Sequence, residues 1–357
     1  MVMMKRLAWG VVILLVLLAG LALLGQRQLG AWLFERAVSS TVGIDRSASL
    51  PDGLHAYVCG SGSPMPDAER AGPCIAVLAG RSGFVFDAGS GSIRKLGRMG
   101  FPMDRLDAAF LTHLHSDHFD GLGELMLQAW MAGGRDTPLP VYGPDGIERV
   151  VAGILEAYTI DRGYRIAHHG EAVARPGGFG GEARAVAPEP QGSVIYRDGG
   201  VTVRALPVDH APVDRALAYR IDYAGRSLVI SGDTVKSPRL ARFAADADVL
   251  FHDALNPRMV GRIGRQLAAR GNADAAKIMA DIPGYHASPK DAAQVAAAAG
   301  VRQLVLYHLV PAPPARLMEP VFLGEAREHF GEIELARDGM LVSLPREADT
   351  LDFDQLL

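Results

Sequence analysis

Three histidines and one aspartate lie within six residues of one another, at His113, His115, Asp117 and His118. The apolar run 108–111 before them is typical of a buried strand, and apolar residues recur at helical spacing over 122–130. The four side chains are therefore expected on a strand-to-helix turn, where His113 and His115 project to the same side. Neutral imidazoles and a carboxylate are ligands that divalent zinc prefers, so this turn predicts a metal site.

Three further candidate ligands each follow an apolar segment that reads as a strand, at His210, Asp233 and His308. Strand ends at one rim of a sheet sandwich meet in space, and functional residues concentrate on the loops there. We therefore expect these three side chains to join the histidine-rich turn in a single site.

The His-x-His-x-Asp-His pattern resembles the signature of the metallo-β-lactamase superfamily. Other motifs follow the order of its ribonuclease Z branch, which also holds arylsulfatase-like hydrolases and phosphodiesterases. They are Asp87-Ala-Gly89, Pro207–His210, Ser231–Thr234, Phe251–Ala254, His286–Ser288 and Tyr307-His308. The resemblance covers roughly residues 53–345 and implies an α/β fold, the αββα four-layer sandwich.

The resemblance also implies a role for each motif residue. His113, His115 and His210 would bind one zinc, Asp117, His118 and His308 a second, and Asp233 would bridge the two. Manganese or iron would suit the same ligands. Two such metals, ~3.5–4 Å apart, would share a water made nucleophilic near neutral pH, which Asp117 would orient or deprotonate.

Two residues outside the ligand set are implied to act in catalysis. His286 would contact the substrate anion and donate a proton to the leaving group, which requires a side chain that titrates near neutrality. Asp253 stands where the family motif His-Glu-Ala-Thr has glutamate, and it would hold His286 by a hydrogen bond. His252, beside it, is equally well explained as a buried structural histidine.

The N-terminus predicts a membrane segment. Lys5 and Arg6 precede an uninterrupted apolar run over residues 7–25, long enough to cross a hydrocarbon layer of ~30 Å. We expect a retained single-pass transmembrane helix in the inner membrane, with the catalytic domain periplasmic; a cleaved signal peptide is the alternative. The predicted organisation is residues 1–26 as anchor or signal peptide, 27–52 as juxtamembrane linker and 53–357 as hydrolase domain.

The chain has two cysteines, Cys59 and Cys74. They flank the loop between the first two predicted strands, so they could form a disulfide in an oxidising compartment. Two buried free thiols are the alternative, and neither cysteine has the spacing of a zinc-binding pair.

Less patterned regions are predicted as loops. Residues 144–158 are expected to form a helix, whereas 159–200 are expected to be loops with short hairpin strands. His168 and His169 are expected in a solvated stretch of these loops, and a pair on the substrate side of the site is the alternative. Residues 60–70 and 255–272 carry no motif and are expected to be loops that contact the leaving group.

The substrate predicted from these features is a small anionic ester, an arylsulfate or a phosphodiester. Ribonuclease Z grips tRNA with an arm inserted between the third histidine and the bridging aspartate, and only twenty-two residues separate His210 from Asp233 here. The net charge of −4 gives no electrostatic case for a nucleic-acid partner. The alternatives are a tRNA 3′-processing endoribonuclease, a lactone or lactam hydrolase, and a non-catalytic metal-binding scaffold. A homodimer is compatible with the resemblance.

Overall fold

A computed structural model describes residues 2–357, with side chains described for residues 9–15, 19–20 and 25–357. The chain divides into two compact units, Met1–Ala48 and Ser49–Leu357. The first contains helix α1 (Val2–Thr41). No helix in the described part of the chain is long and apolar enough to cross a membrane. The predicted transmembrane helix at 7–25, which falls partly on side chains outside the described residues, is thus unsupported.

The second unit is built on two β-sheets. The eight-stranded sheet has the order β15-β14-β1-β2-β3-β4-β5-β6, and the seven-stranded sheet has the order β13-β12-β11-β10-β9-β8-β7. The strands are β1 (Gly53–Gly60), β2 (Cys74–Ala79), β3 (Ser82–Phe86), β4 (Leu106–Phe110), β5 (Leu139–Gly143), β6 (Gly181–Ala185), β7 (Ser193–Asp198), β8 (Val201–His210), β9 (Val213–Tyr223), β10 (Arg226–Ile230), β11 (Val249–Leu255), β12 (Gln303–Val310), β13 (Ile333–Leu335), β14 (Met340–Pro345) and β15 (Asp352–Gln355).

Helices connect the strands and cover the outer faces of both sheets. They are α2 (Ser92–Met99), α3 (Ser116–Phe119), α4 (Leu122–Met131), α5 (Ile147–His169), α6 (Pro238–Phe243), α7 (Pro257–Ala269), α8 (Ala273–Asp281), α9 (Pro289–Ala299), α10 (Glu319–Leu323) and α11 (Ala326–His329).

Apolar side chains fill three layers. The inner faces of the two sheets meet in one cluster in which the rings of Phe86 and Phe110 stack with centroids 4.9 Å apart. A second cluster packs α2, α4 and α5 on the eight-stranded sheet, and a third packs α6 and α9 on the other. The two-sheet α/β sandwich predicted from the resemblance is therefore confirmed.

Two predicted loops are in fact helical. Helix α5 continues to His169, eleven residues beyond its predicted end, so His168 and His169 lie in its last turn. Only Ile147 and Val151 of this helix are fully buried, so the rest of it has no apolar face to mark it in the sequence. Residues 257–269, predicted as a loop, form α7, whose N-cap Asn256 accepts a hydrogen bond from the Met259 amide.

Cys59 and Cys74 form a disulfide bond that joins β1 to β2. Both side chains are completely buried, and the bond lies where the two strands shift register between Val58 and Gly60. The bond closes the loop that carries residues 61–72. Of the two alternatives for the cysteines, the structure contains the disulfide.

Candidate metal centre

The histidine-rich turn is built as the sequence predicted. Strand β4 ends at Phe110, and His115 is the N-cap residue of the short helix α3, which carries Asp117 and His118. His113 and His118 are completely buried, whereas His115 is exposed. The turn therefore presents imidazoles to one point from both the extended segment and the helix.

The three later candidates reach the same point from the seven-stranded sheet. His210 ends β8, and Asp233 follows β10 by three residues. His308 lies inside β12 at a bulge, because Tyr307 pairs with Asp253 and Leu309 pairs with the next residue of β11. Its φ of 46° places its backbone in the left-handed region, which is rare for a non-glycine residue. The bulge redirects this side chain out of the ladder and into the site.

Asp233 lies at the centre of the cluster. Its Oδ2 is 3.3 Å from Nε2 of both His118 and His308, and 3.9 Å from Nε2 of His113. Two triads of ligand atoms, each with all members within 4.8 Å of one another, flank it. They are His113, His115 and His210 on one side, and Asp117, His118 and His308 on the other. All seven predicted ligands are thus brought together.

The free ring nitrogens fit cation binding. His118 donates its Nδ1 proton to Oδ2 of Asp87, 2.9 Å away, and His210 donates Nδ1 to the backbone oxygen of Tyr285 at 2.8 Å. In each ring Nε2 is then the nitrogen that faces the cluster and would bind a cation. Nε2 of His118 and Oδ1 of Asp233 are buried without a hydrogen-bond partner. Buried polar atoms of this kind need an explanation, and a metal ion supplies it.

Asp87 supports the turn from behind. Besides His118, its carboxylate accepts hydrogen bonds from the amide and the hydroxyl of Thr112, both at 2.8 Å. Backbone packing here is close enough to require glycine: a Cβ on Gly89 would lie 2.4 Å from the backbone oxygen of Asp117, and one on Gly72 would lie 2.9 Å from the Cα of Gly89. The turn is thereby fixed by neighbouring backbone as well as by side chains.

Burial and neighbouring charges set the protonation of the cluster. Burial, followed by the charge of nearby His118, lowers the pKa of His113 well below its usual value. Burial also opposes a charge on His118, but the carboxylates of Asp233 and Asp87 outweigh it and raise that pKa well above the usual value. Burial similarly opposes ionisation of Asp233, yet His308 and His118 hold its pKa well below the usual range. The centre therefore keeps an ionised carboxylate at neutral pH.

His286 lies beside the cluster and contacts Asp253. Its Nδ1 donates a hydrogen bond to Oδ2 of Asp253 at 3.0 Å, and the other carboxylate oxygen lies 3.0 Å from Nδ1 of His252. Asp253 is completely buried; burial raises its pKa, and the two histidines more than offset this, so the pKa is lowered. The shorter aspartate thus reaches the histidine that the family motif pairs with glutamate.

A cleft of about 460 Å³ opens over the candidate ligands His115, Asp117, Asp233 and His308. Pro64 and Met65, from the loop after β1, line this cleft, and so do Ile278 and Ile282, from α8 and the turn after it. Tyr285 and His286 also line the cleft. Apolar side chains therefore border the candidate ligands.

Comparisons with known proteins identify the family to which the chain belongs. Residues 83–309 match a protein family described as a beta-lactamase superfamily domain. The chain therefore belongs to the metallo-β-lactamase superfamily, as a ribonuclease Z-like hydrolase. A protein named ribonuclease Z from Mycobacterium avium is 39% identical over 287 residues, which are 80% of this chain and 96% of that protein.

Solved structures show the same fold at lower identity. Human tRNase Z, short form, aligns with a TM-score of 0.57 at 20% identity, covering 82% of this chain and 99% of that one. The metallo-β-lactamase fold protein YhfI from Bacillus subtilis aligns with a TM-score of 0.57 at 22% identity, covering 82% of this chain and all of that one.

These relatives overturn two predictions. The expected small anionic ester, whether arylsulfate or phosphodiester, and the expected absence of a nucleic-acid partner are wrong, because the 39% identical relative is a ribonuclease matched over nearly its whole length. The missing arm removes one means of holding RNA but does not alter the metal centre. Net charge is a sum over the whole surface and does not report how charge is distributed on it.

Some features of the site have little or no signal in the sequence. The backbone oxygen that orients His210 belongs to Tyr285, seventy-five residues away, and any residue could supply it. The α8 wall of the cleft lies in a segment without a motif. The contribution of the Thr112 hydroxyl to the site could have been suspected from the sequence, since Thr112 directly precedes the first histidine. A threonine hydroxyl can form hydrogen bonds with neighbouring backbone or side chains.

Proposed function

We propose that this protein is a metal-dependent endoribonuclease of the ribonuclease Z type, which cleaves the 3′ extension from precursor tRNA. The observation that carries the proposal is the 39% identity over 96% of the length of a protein named ribonuclease Z. The clustering of seven histidine and aspartate side chains around Asp233 supports it, because phosphodiester hydrolysis needs a centre that stabilises a developing anion.

We assign the ligands as two sets that share Asp233. His113, His115 and His210 would hold one cation, and Asp117, His118 and His308 the other. Zinc is the proposed metal because five of these seven ligands are imidazoles, which suit zinc better than magnesium or calcium. Two bound cations would supply Lewis-acid polarisation of a phosphoryl oxygen and a nucleophilic water near neutral pH.

The remaining steps belong to side chains of the chain itself. Asp117, at the mouth of the cleft, is placed to orient the attacking water and to accept its proton. His286 carries the proton for the leaving oxygen on Nε2, the ring nitrogen opposite the one that Asp253 holds. The buried Asp253 carboxylate stabilises the charged imidazolium and fixes the plane of its ring. Asp117 and His286 would thus act as general base and general acid.

Cleavage of a precursor tRNA tests the proposal. Purified zinc-loaded protein should cut a transcript with a 3′ extension at one position and should leave the mature tRNA intact. Chelation should abolish the cleavage, and added zinc should restore it. Asp233→Asn should be inactive, whereas the same substitution at the exposed Asp104 should be neutral. A zinc-loaded protein that leaves the precursor intact would refute the proposed activity.

The cellular location is untested, and the periplasmic location stays a prediction. Fractionation of cells that express the tagged full-length chain would decide it.

A further inference from the structure

Helices α7 and α8 form a hairpin with no part in the mechanism above. The hairpin follows β11, which carries Asp253, and precedes His286, so it is inserted between the two residues that form the proton-donor pair. One helix of the hairpin, α8, lines the cleft through Ile278 and Met279. The other helix, α7, packs against α8 and is thereby tied to one part of the cleft lining.

Helix α7 carries a row of unpaired arginines. Arg258, Arg262 and Arg265 are spaced by four and three residues, which places them on one face of the helix. All three are exposed, and within residues 25–357 none of them forms an ion pair or a hydrogen bond. The charge of Arg258 does act on Glu325, but that carboxylate is itself paired with Lys290. The segment 257–272 holds four arginines and no acidic residue, in a chain whose net charge is −4. Positive charge is therefore concentrated on this face.

The opposite face of α7 fixes the row in place. Val260 is completely buried in a small apolar cluster beneath the cleft, together with Leu255 and Val310. Gly264 allows α7 and α8 to pack closely, since a Cβ there would lie 3.1 Å from the Cβ of Met279. The arginines thus project from a packed helix rather than from a loose loop, which lowers the entropy lost when they bind a ligand.

We propose that this arginine row of α7 is an RNA-binding surface that holds the phosphodiester backbone of the substrate. The inference rests on the proposed ribonuclease function and adds to it the element that grips the RNA. Guanidinium groups bind phosphate oxygens in a bidentate manner, and they keep their charge at any physiological pH. With a rise of ~1.5 Å per residue, the arginines are spaced ~6 Å and ~4.5 Å along the helix. Their long side chains would let the three guanidinium groups contact neighbouring phosphates of one strand.

The arginine row would also explain how this chain holds RNA although it lacks the protruding arm of ribonuclease Z. The hairpin that leads from His210 has a turn of two residues, with no room for a separate binding domain there. Phosphate contacts from a rigid helix give affinity and orientation without reading sequence. Such contacts suit a set of substrates that share a backbone shape.

Binding of mature tRNA, which is not cut, tests the surface separately from catalysis. The triple variant Arg258→Gln, Arg262→Gln, Arg265→Gln would be compared with a control of equal charge change, Arg81→Gln, Arg98→Gln, Arg204→Gln. The control arginines are exposed and lie in the turn between β2 and β3, in α2 and in β8. Zinc-loaded full-length proteins would be titrated into fluorescently labelled tRNA, and affinity would be measured by anisotropy from low to high salt.

We expect the α7 triple variant to bind on the order of tenfold more weakly at 0.15 M salt. The slope of log affinity against log salt should fall in magnitude by about two to three, close to one per lost phosphate contact. The control should keep the wild-type slope, and lysines at the three α7 positions should restore most of it. An unchanged slope, or equal losses in both triple variants, would overturn the RNA-binding surface.

The outcomes also separate this inference from the proposed function. Wild-type protein that binds tRNA with a slope dependent on the α7 arginines, yet cleaves no precursor, would leave the surface standing and refute the activity. If the wild-type protein cleaves the precursor and the α7 triple variant binds and cleaves RNA as well as the wild type, only the RNA-binding surface would be refuted. A wild-type protein that neither binds nor cuts RNA would refute both.

Discussion

The Oδ2 atom of Asp253 lies 3.0 Å from Nδ1 of His286, although the two residues are 33 positions apart in the chain. The carboxylate is completely buried, and it holds the histidine at the edge of the cleft. If it orients a proton donor, Asp253→Asn should lower kcat for precursor tRNA about 100-fold. The metal content should be unchanged, because neither residue is an assigned ligand.

Metal analysis and steady-state kinetics check this prediction together. His286→Ala should lose a similar factor, and the double variant should be no worse than the poorer single variant, since the two residues act as a unit. Asp104→Asn, at an exposed position, serves as the matched control. Full activity in Asp253→Asn, or loss of metal from it, would show that this pair has a different role.

His308 should be needed for one of two metal ions. Its Nε2 lies 3.3 Å from carboxylate oxygens of both Asp117 and Asp233, so its removal leaves the second ligand set incomplete. We expect His308→Ala to contain about one zinc per chain where the wild type contains two, with most of the activity lost. His169→Ala, in an exposed last turn of α5, should retain both ions. Elemental analysis after dialysis measures this, and two zinc ions in His308→Ala would contradict the assignment.

Removal of the metal should destabilise the folded protein. The ligand atoms are crowded around buried Asp233, and an ion bound only by the native state stabilises it by about 2.7 kcal/mol at 100 times Kd. We expect chelation to lower Tm on the order of 5–10 °C for a domain of this size. Zinc should restore Tm and magnesium should not, because magnesium prefers oxygen ligands. A Tm that chelation does not change would argue against a bound metal in the native protein.

Reduction of the Cys59–Cys74 disulfide should also lower stability. A closed loop of this size contributes about 3 kcal/mol, mainly by restricting the unfolded chain. Urea denaturation with and without a reductant should therefore give free energies of unfolding that differ by about that amount. The double variant Cys59→Ser, Cys74→Ser should resemble the reduced protein and show no response to the reductant. Equal free energies of unfolding for the oxidised and the reduced protein would contradict this prediction.

The ligand set could be predicted from the sequence because each ligand follows a recognisable local pattern. His113 to His118 form a contiguous motif, His210 is the last residue of β8, and Asp233 follows β10 by three residues. The bulge at His308 could not be predicted, because it depends on how β12 pairs with β11 rather than on residue type. Sequence patterns therefore located the ligands, while strand pairing determines how the last of them points.

The secondary-structure predictions that were wrong concern segments that are little buried or that contain glycine. Helix α7 contains Gly261 and Gly264, which weaken a helical pattern, and its arginines obscure the apolar positions that pack on α8. The later part of α5 is exposed and has no periodic apolar face. The prediction of the substrate class was wrong for a related reason. The net charge of the whole chain does not show that one face of α7 is basic, and this segment was expected to be a loop.

The hydrogen bonds from Asp87 have a consequence for how the protein acquires its ions. Thr112 and His118 are already held by this carboxylate, so the imidazole does not have to be reoriented when an ion arrives. Little conformational freedom is then lost on loading, and selection among cations falls to coordination geometry rather than to induced rearrangement. Loading should accordingly be fast, with a rate set by diffusion and by the ion's own loss of hydration water.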